Sequence, residues 1–192
     1  MKLIIASNNP YKLVEIKAIL GGKFDAIVSM EEAGIRHETV EDGTTFLENA
    51  LKKAKEIAEI SGEAALADDS GICVDALGGA PGIFSARFCG RHGDDEANNR
   101  LLLEKLGNNP DRRAHYTCAI ALARPDGTVL TAEEYLYGEI TREEKGENGF
   151  GYDPLFYLPQ YGMTSAEISP ELKNKISHRG KALRSILRQL SQ

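Results

Sequence analysis

The chain alternates short apolar runs with longer amphipathic stretches, and this alternation restricts its fold more than any other feature. Residues 2–6 form an apolar run of strand length, and residues 13–20 carry apolar side chains at the spacing of one helical face. Asn9 and Pro10 lie between these two segments, and they favour the cap and the first turn of a helix. The sequence therefore opens with a strand, a polar loop and a helix that begins near Pro10.

The same alternation continues along the rest of the chain. Further strands are predicted over residues 24–29, 64–67, 72–77, 115–123 and 128–140, with a short aromatic strand after Pro154, and further helices over residues 46–61, 94–106 and from Pro170 onward, with a break at Gly180. Residues 31–43 are polar, acidic and without periodicity, so they are predicted to form a loop. Residues 125–127, Pro-Asp-Gly, indicate a hairpin between two of the strands. This order predicts an α/β fold, a mixed β-sheet flanked by helices.

Length and composition exclude several classes of protein. The 192 residues suffice for one domain or for two lobes sharing a core, and we predict a single domain over residues 1–192. Apolar runs are far shorter than the ~20 residues of a membrane span, and no secretory signal opens the chain, so we expect a cytoplasmic protein without a membrane partner. Three cysteines without CxxC spacing argue against disulfides and zinc, and a net charge of −6 disfavours a nucleic-acid partner.

The segment SNNPYK, residues 7–12, connects the first strand to the first helix. A helix N-terminus offers unpaired N–H groups and the positive end of the helix dipole, so with Lys12 nearby it can hold a phosphate. Taken alone, a capped helix with a solvated lysine is the favoured interpretation.

Asp68 and Asp69 follow an apolar run of small residues, and we predict that they end a buried strand. Neighbouring residues of a strand project to opposite sides, so one carboxylate can face a cleft while the other accepts bonds from a turn. Magnesium commonly uses one or two carboxylates with substrate phosphates and water, and Asp69 with an acid from residues 38–42 suits that role. An Asx turn that closes the strand is the alternative.

Two later segments could contact a nucleotide, the first through its base and the second through positive charge and hydrogen-bond donors. In GFGYDP, residues 149–154, glycines allow close approach of a flat ligand, an aromatic ring can stack on a base, and Asp153 can accept from the base edge. A hairpin loop with a packed aromatic ring is the alternative. Lys173, His178 and Arg179 are predicted on the C-terminal helix, where a solvated basic face is the alternative. All of these segments suit a purine nucleotide with its phosphates and magnesium.

The chain contains, in this order and over nearly its full length, SNNPYK, TFLENALKKA, ALADDSGICVDALGGAPGIFSAR, GFGYDP and SHRGKAL. With these segments it closely resembles the inosine triphosphate pyrophosphatase family, the XTP/dITP diphosphatases that remove noncanonical purine nucleotides. The resemblance implies two lobes with a nucleotide cleft between them, and a homodimer. It also implies hydrolysis of ITP, dITP and XTP to the monophosphate and pyrophosphate, which keeps these nucleotides out of DNA and RNA.

The resemblance also implies roles for individual residues. Asp69 is expected to be the proton acceptor and a ligand of Mg²⁺; of the crowded acids Glu38, Glu41 and Asp42, we predict Glu41 as the second metal ligand. Asn8 and Tyr11 occupy places where the family usually carries glycine. The residues implied to bind substrate are Ser7, Asn8, Asn9, Pro10, Tyr11, Lys12 and Ser70, together with Phe150, Gly151, Tyr152 and Asp153 at the base and sugar, and Lys173, His178 and Arg179 at the base or phosphates.

Selectivity for these purines follows from hydrogen bonding. A 6-oxo group accepts hydrogen bonds, so a site of Lys, Arg and N–H donors disfavours a 6-amino group, which leaves those donors unpaired.

Two other functions compete with this interpretation. One is a related pyrophosphatase acting on modified pyrimidine triphosphates, and the other is a nucleotide-sensing protein without turnover. A panel of ITP, XTP, dUTP and methylated pyrimidine triphosphates, with pyrophosphate and orthophosphate detected separately, distinguishes them. Orthophosphate alone would indicate a phosphatase.

Overall fold

The computed structural model of the protein describes residues 2–191, which form a mixed seven-stranded β-sheet flanked by α-helices. The strands are β1 (Lys2–Ile5), β2 (Ala26–Ser29), β3 (Ala64–Val74), β4 (Arg113–Ala123), β5 (Val129–Ile140), β6 (Phe156–Leu158) and β7 (Met163–Thr164). Their order across the sheet is β2-β1-β3-β4-β5-β6-β7. Strand β1 pairs in parallel with β2 and β3, whereas β6 pairs antiparallel with β5 and β7. The predicted mixed sheet is confirmed.

The α-helices are α1 (Pro10–Leu20), α2 (Phe46–Ser61), α3 (Asp95–Leu106), α4 (Pro170–Ile176) and α5 (His178–Leu190). Helix α1 begins at Pro10, as predicted, because the Oδ1 atom of Asn9 caps it by accepting from the N–H groups of Tyr11 at 3.0 Å and Lys12 at 3.3 Å. Among residues 2–191 no helix is long and apolar enough to cross a membrane. Cys73, Cys89 and Cys118 lie within residues 2–191 and are not joined by disulfides.

Helix α2 has the predicted bounds, and Thr45 caps it. Thr45 Oγ1 accepts from the N–H of Glu48 at 3.1 Å, and the Glu48 carboxylate accepts from the N–H of Thr44 at 2.6 Å. The helix ends at Gly62, whose φ of 66° lies in the left-handed region and whose N–H donates to the Ala58 carbonyl.

The chain divides into two compact units, each with its own apolar core. Unit 1 comprises Met1–Asp69, Cys118–Glu134 and Arg179–Gln192, and unit 2 comprises Ser70–Thr117 and Tyr135–His178. The core of unit 1 contains Leu3, Ile5, Ile16, Leu20, Leu66, Ile120, Leu183 and Ile186. The core of unit 2 contains Ile72, Val74, Leu102, Leu106, Ile140, Leu155, Phe156 and Leu158.

Strand β3 corrects the sequence interpretation at the acidic pair. We predicted that Asp68 and Asp69 end a strand, but β3 continues through them from Ala64 to Val74, so the alternative of an Asx turn is wrong as well. The strand lies between β1 and β4 in the sheet, and its buried backbone groups need sheet partners on both sides. The two carboxylates therefore project to opposite sides from within a buried strand.

The C-terminal helix also differs from the prediction. It is interrupted at Ser177, which is extended with φ −65° and ψ 158°, and not at Gly180, which lies inside α5. Lys173 consequently belongs to α4, while His178 and Arg179 open α5. Strand β7 was not predicted, because two residues are too few to show periodicity.

Candidate active site

Residues 7–12 comprise part of the loop after β1 and the first residues of α1, in unit 1. Ser7 Oγ accepts from the N–H of Asn9 at 3.2 Å, and the Oδ1 atom of Asn9 is the helix cap. Lys12 is not the solvated lysine of the alternative interpretation: its side chain is 15% exposed, and Nζ lies 3.1 Å from Oδ2 of Asp68. The capped helix is confirmed, and it carries a half-buried ammonium group at its first turn.

Asp68 is a fully buried carboxylate held by positive charges. Its Oδ2 atom accepts from Arg179 Nε at 3.2 Å and Nη2 at 3.0 Å, and the same guanidinium pairs through Nη1 with Glu15. Burial alone would raise the pKa of Asp68, but attraction to Lys12 and Arg179 outweighs burial and holds that pKa well below its usual range. Within residues 2–191, Oδ1 of Asp68 has no hydrogen-bond partner.

Arg179, predicted as a substrate contact, has its guanidinium committed to this network with a side chain only 2% exposed. Within unit 1 the Arg179 guanidinium donates to Asp68. The contact between Arg179 and substrate stays a prediction.

Asp69, the predicted proton acceptor, projects to the other side of β3. It is 6% exposed, and its Oδ2 accepts from Asn49 Nδ2 of α2 at 3.0 Å. Burial raises the pKa of Asp69 by more than the nearby ammonium groups lower it, and repulsion from Glu41 adds to the rise. A carboxylate with a raised pKa is suited to accepting a proton near neutral pH.

Lys53 of α2 lies beside both acids. Its Nζ donates to Glu41 Oε1 at 2.6 Å and to the backbone carbonyl of Asp68 at 2.8 Å. Burial would lower the pKa of Lys53, but attraction to Asp69, Asp68 and Glu41 raises it overall, so the ammonium stays charged. Lys53 therefore fixes Glu41 next to the acidic segment of β3.

The loop that carries Glu41 is fastened along α2. We define the strap as residues 37–44. At one end of the strap, His37 Nε2 and Thr39 Oγ1 both lie 2.7 Å from Glu56 Oε2. In its middle, Glu41 accepts a hydrogen bond from Lys53, and Asp42 accepts one from Lys52 at 2.7 Å. At the other end, the N–H of Gly43 donates to Asn49 Oδ1 at 2.8 Å, and the N–H of Thr44 donates to Glu48. The partners on α2 recur about once per helical turn, so the strap runs antiparallel to the helix. Among its acids, Glu38 is exposed, whereas Glu41 lies near Asp69.

The carboxylates of Glu41 and Asp69 suit a magnesium ion. Their oxygens are the hard ligands that magnesium prefers, and a bound cation would offset the repulsion from Glu41 that contributes to the raised pKa of Asp69. In the described part of the chain no three His, Cys, Asp or Glu residues cluster as a metal site. Two protein carboxylates with phosphates and water complete the usual magnesium arrangement.

In unit 2, four of the predicted base contacts converge; we call Phe150, Asp153, Lys173 and His178 the base-side cluster. Asp153 is 3% exposed, and its Oδ2 accepts from the N–H of Phe150 at 3.0 Å and from Lys173 Nζ at 2.6 Å. The same Nζ lies 4.7 Å from the centroid of the Phe150 ring, which is half-buried. The ring of His178 stacks on Tyr116 with centroids 4.7 Å apart.

The glycines of this loop serve distinct purposes. At Gly149, φ is 74° and an added Cβ would lie 2.1 Å from Asp153 Oδ2, so only glycine fits. Gly151 is held by α3, because its N–H donates to Asp95 at 2.7 Å and its carbonyl accepts from Asn99 at 3.1 Å. Tyr152 is buried and its hydroxyl donates to the Ser85 carbonyl at 2.7 Å, which leaves Phe150 as the aromatic ring suited to stacking.

The structure shows three residues of these sites that sequence reasoning missed. Asn49 and Lys53 lie four residues apart on α2, so their spacing within TFLENALKKA places them on one helical face and could have revealed them. No sequence pattern indicates Tyr116, because an aromatic residue in a buried strand is normally assigned to the hydrophobic core. Ser70, predicted to touch substrate, lies half-buried in β3 at the first position of unit 2.

The sequence comparison decides the family. A family model described as the Ham1 family matches residues 3–189. The chain belongs to the Ham1 family. It is 52% identical to a dITP/XTP pyrophosphatase of Desulforamulus reducens over 100% of this chain and 96% of that protein, and 49% identical to one of Leifsonia xyli over 97% and 94%.

Solved structures agree with the family assignment. The Ham1 protein of Staphylococcus aureus has a TM-score of 0.89 at 41% identity, covering 100% of this chain and 98% of that one. A HAM1 protein from Coxiella burnetii gives a TM-score of 0.89 at 39% identity, with the same coverage. The mixed sheet flanked by helices is thus the fold of this Ham1-family chain and of both solved relatives.

Proposed function

We propose that this Ham1-family protein hydrolyses ITP, dITP and XTP to the nucleoside monophosphate and pyrophosphate, which removes these noncanonical purines from the nucleotide pool. Relatives matched over nearly their full length are named dITP/XTP pyrophosphatases. The proposal depends above all on the surroundings of Asp69. This buried carboxylate lies near Glu41 and Lys53, and its pKa is raised.

Magnesium is the proposed cofactor, with Glu41 and Asp69 as its protein ligands. When bound, the ion would neutralise charge on the phosphates and on the departing pyrophosphate.

Asp69 is the proposed proton acceptor for the attacking water. The water oxygen bonds to the α-phosphorus, the bond from that phosphorus to the bridging α–β oxygen breaks, and pyrophosphate leaves while the water proton passes to Asp69. Asn49 fixes the orientation of Asp69 through its 3.0 Å hydrogen bond. The ammonium groups of Lys12 and Lys53 remain in place throughout and attract the phosphate oxygens.

The segment of residues 7–12 is the proposed binding site of the triphosphate, with Lys12 as its charge and Ser70 as a further contact. Asn9 Oδ1 already accepts hydrogen bonds as the cap of α1, so one contribution of Asn9 is to hold the backbone of this segment.

Base selection is assigned to the base-side cluster. Phe150 offers a ring for stacking, and the Lys173 ammonium is a donor that a 6-oxo group can accept from. A 6-amino group in the same place would leave that buried donor unpaired, which is the physical reason for excluding adenine. Asp153 orients the ammonium of Lys173 through their hydrogen bond of 2.6 Å.

The proposed assembly is a homodimer, and the proposed location is the cytoplasm. The homodimer rests on the family resemblance, and sedimentation equilibrium of the purified protein tests it. The location rests on the expectation drawn from the sequence.

The decisive experiment is a substrate panel. The full-length protein is mixed in magnesium buffer with ITP, XTP, ATP, GTP, dUTP and methylated pyrimidine triphosphates, and pyrophosphate and orthophosphate are measured separately. We expect pyrophosphate from ITP and XTP, with much lower release from ATP. Preference for modified pyrimidines would reassign the substrate, orthophosphate alone would indicate a phosphatase, and nucleotide binding without product would leave a sensor.

A further inference from the structure

Tyr116 of β4 contacts both sides of the base-side cluster. Its hydroxyl donates to Asp153 Oδ1 at 3.2 Å, and its ring stacks on the imidazole of His178 with centroids 4.7 Å apart and 8° between the planes. The ring of Phe156 packs against it at 4.5 Å from another direction. Tyr116 is 7% exposed, so packing fixes its ring while its polar atom points to the carboxylate.

Asp153 is a carboxylate whose two oxygens are divided between protein donors. Oδ2 accepts from the N–H of Phe150 and from the Lys173 ammonium, and Oδ1 accepts from Tyr116. With only 3% of the residue exposed, Asp153 acts chiefly by orienting these donors. A carboxylate held at both oxygens cannot rotate without breaking a buried hydrogen bond, which is costly.

The hydroxyl of Tyr116 is a permanent donor. Burial, together with the charge of Asp153, raises the pKa of Tyr116 well above its usual value. The hydroxyl therefore keeps its proton and can donate to Asp153.

We propose that Tyr116 is a positioning residue for base selection, whose hydroxyl fixes the carboxylate of Asp153, and through it the ammonium of Lys173, while its ring fixes the plane of His178. The inference rests on the proposed function, since it assigns a role within the recognition of a 6-oxopurine. Selectivity between 6-oxopurines and 6-aminopurines then depends on Tyr116, although Tyr116 itself need not contact the base.

The consequence for substrates is asymmetric. Without the hydroxyl, Oδ1 of Asp153 loses its donor, the carboxylate can turn, and Lys173 follows it away from its place. A 6-oxopurine then loses a well-aligned donor. A 6-aminopurine gains nothing, because the ammonium still offers it no acceptor.

The test compares Tyr116→Phe with wild type in magnesium buffer, measuring kcat and KM for ITP and for ATP. We expect kcat/KM for ITP to fall about tenfold, the loss of one hydrogen bond to a charged group, mainly through KM, with ATP nearly unchanged. The ITP/ATP selectivity ratio then falls by the same factor. Calorimetric titration with inosine monophosphate, without metal, should show a matching loss of affinity.

Two further variants separate the hydroxyl from the ring. Tyr116→Leu removes the stack on His178 as well and should lose more affinity for inosine monophosphate than Tyr116→Phe. Tyr137→Phe removes the same atom from a tyrosine that is 68% exposed and should match wild type in every measurement. Melting temperatures of all variants establish that they are folded.

Each outcome decides a separate point. An unchanged ITP/ATP ratio in Tyr116→Phe overturns the inference, and so does an equal loss for ITP and ATP, which a merely structural role would produce. A wild-type protein that binds inosine monophosphate but releases no pyrophosphate refutes the proposed function, while the monophosphate titrations still test Tyr116. A wild-type protein that does neither overturns both.

Discussion

Replacing Asp68 by Asn tests whether the buried charge network holds unit 1 together. Asp68 has no exposed side-chain surface and accepts from Arg179 twice, at 3.0 and 3.2 Å, with Lys12 at 3.1 Å. Breaking a buried ion pair by removing one partner costs about 3–5 kcal/mol. Because Arg179 keeps its pair with Glu15 and an amide oxygen can still accept one bond, we expect the lower end, about 3 kcal/mol.

The assay is thermal unfolding in EDTA at pH 7, so that metal binding contributes nothing. For a chain of this size, about 3 kcal/mol corresponds to a decrease in Tm of about 6–12 °C. The pKa of Asp68 is below its ordinary value of about 3.9, so its stabilisation is present above that pH and is lost as pH falls toward the folded-state pKa. The difference in Tm between wild type and variant should therefore be the same at pH 7 and pH 5, and narrow below about pH 4.

Asp111→Asn is the matched control. It also removes one negative charge that pairs with an arginine, Arg113, at 2.8 Å, but the Asp111 side chain is 35% exposed. Solvent screens such pairs, so we expect its Tm to stay within about 2 °C of wild type. If Asp68→Asn behaved like this control, the network would not stabilise the fold and the argument from burial would be refuted.

Three other predictions concern the proposed site. Asp69→Asn should lower kcat for ITP about 10³-fold, and a normal kcat would exclude Asp69 as the proton acceptor. The Tm of this variant in EDTA should be unchanged or raised, because burial makes the charged form of Asp69 unfavourable in the folded state. Glu56→Ala removes the hydrogen bond that holds Thr39 of the strap to α2. We expect the affinity for Mn²⁺, measured by electron paramagnetic resonance, to fall about threefold. An unchanged affinity would show that the strap does not position Glu41. Gly149→Ala places a Cβ 2.1 Å from a carboxylate oxygen of Asp153 at a backbone φ of 74°. The free energy of unfolding in urea should therefore fall by at least about 1 kcal/mol. A variant as stable as wild type would show that the loop can adopt another conformation.

The sequence predicted the elements that local chemistry determines. Asn9 and Pro10 placed the start of α1, Thr45 placed the start of α2, and Gly62 closes α2 in the left-handed conformation. These signals depend on a few neighbouring residues and on the geometry of one helix end. The break at Ser177 was missed although serine is a favoured N-cap and directly precedes α5, because Gly180 was taken as the helix breaker.

The contacts of the proposed site depend on longer separations and could be predicted only in part. Lys12 was identified as a phosphate ligand, but its pair with Asp68 joins residues 56 positions apart, and Arg179 lies 111 positions beyond Asp68. Tyr116 reaches Asp153 across 37 positions. Family resemblance supplied candidate residues without these pairings, so it could not show that Arg179 is committed to an internal ion pair.

The acidic pair shows how the fold differentiates two chemically identical side chains. Both are buried, and burial alone would raise both pKa values. Because β3 runs straight through them, one carboxylate meets Arg179 and Lys12 while the other meets the amide of Asn49. Full charge compensation lowers the pKa of Asp68 and makes it a structural anion, whereas incomplete compensation raises that of Asp69 and leaves it able to take up a proton. The Asx turn, which was the alternative interpretation of the sequence, would not hold the two side chains on opposite sides of a strand and would remove the difference between them.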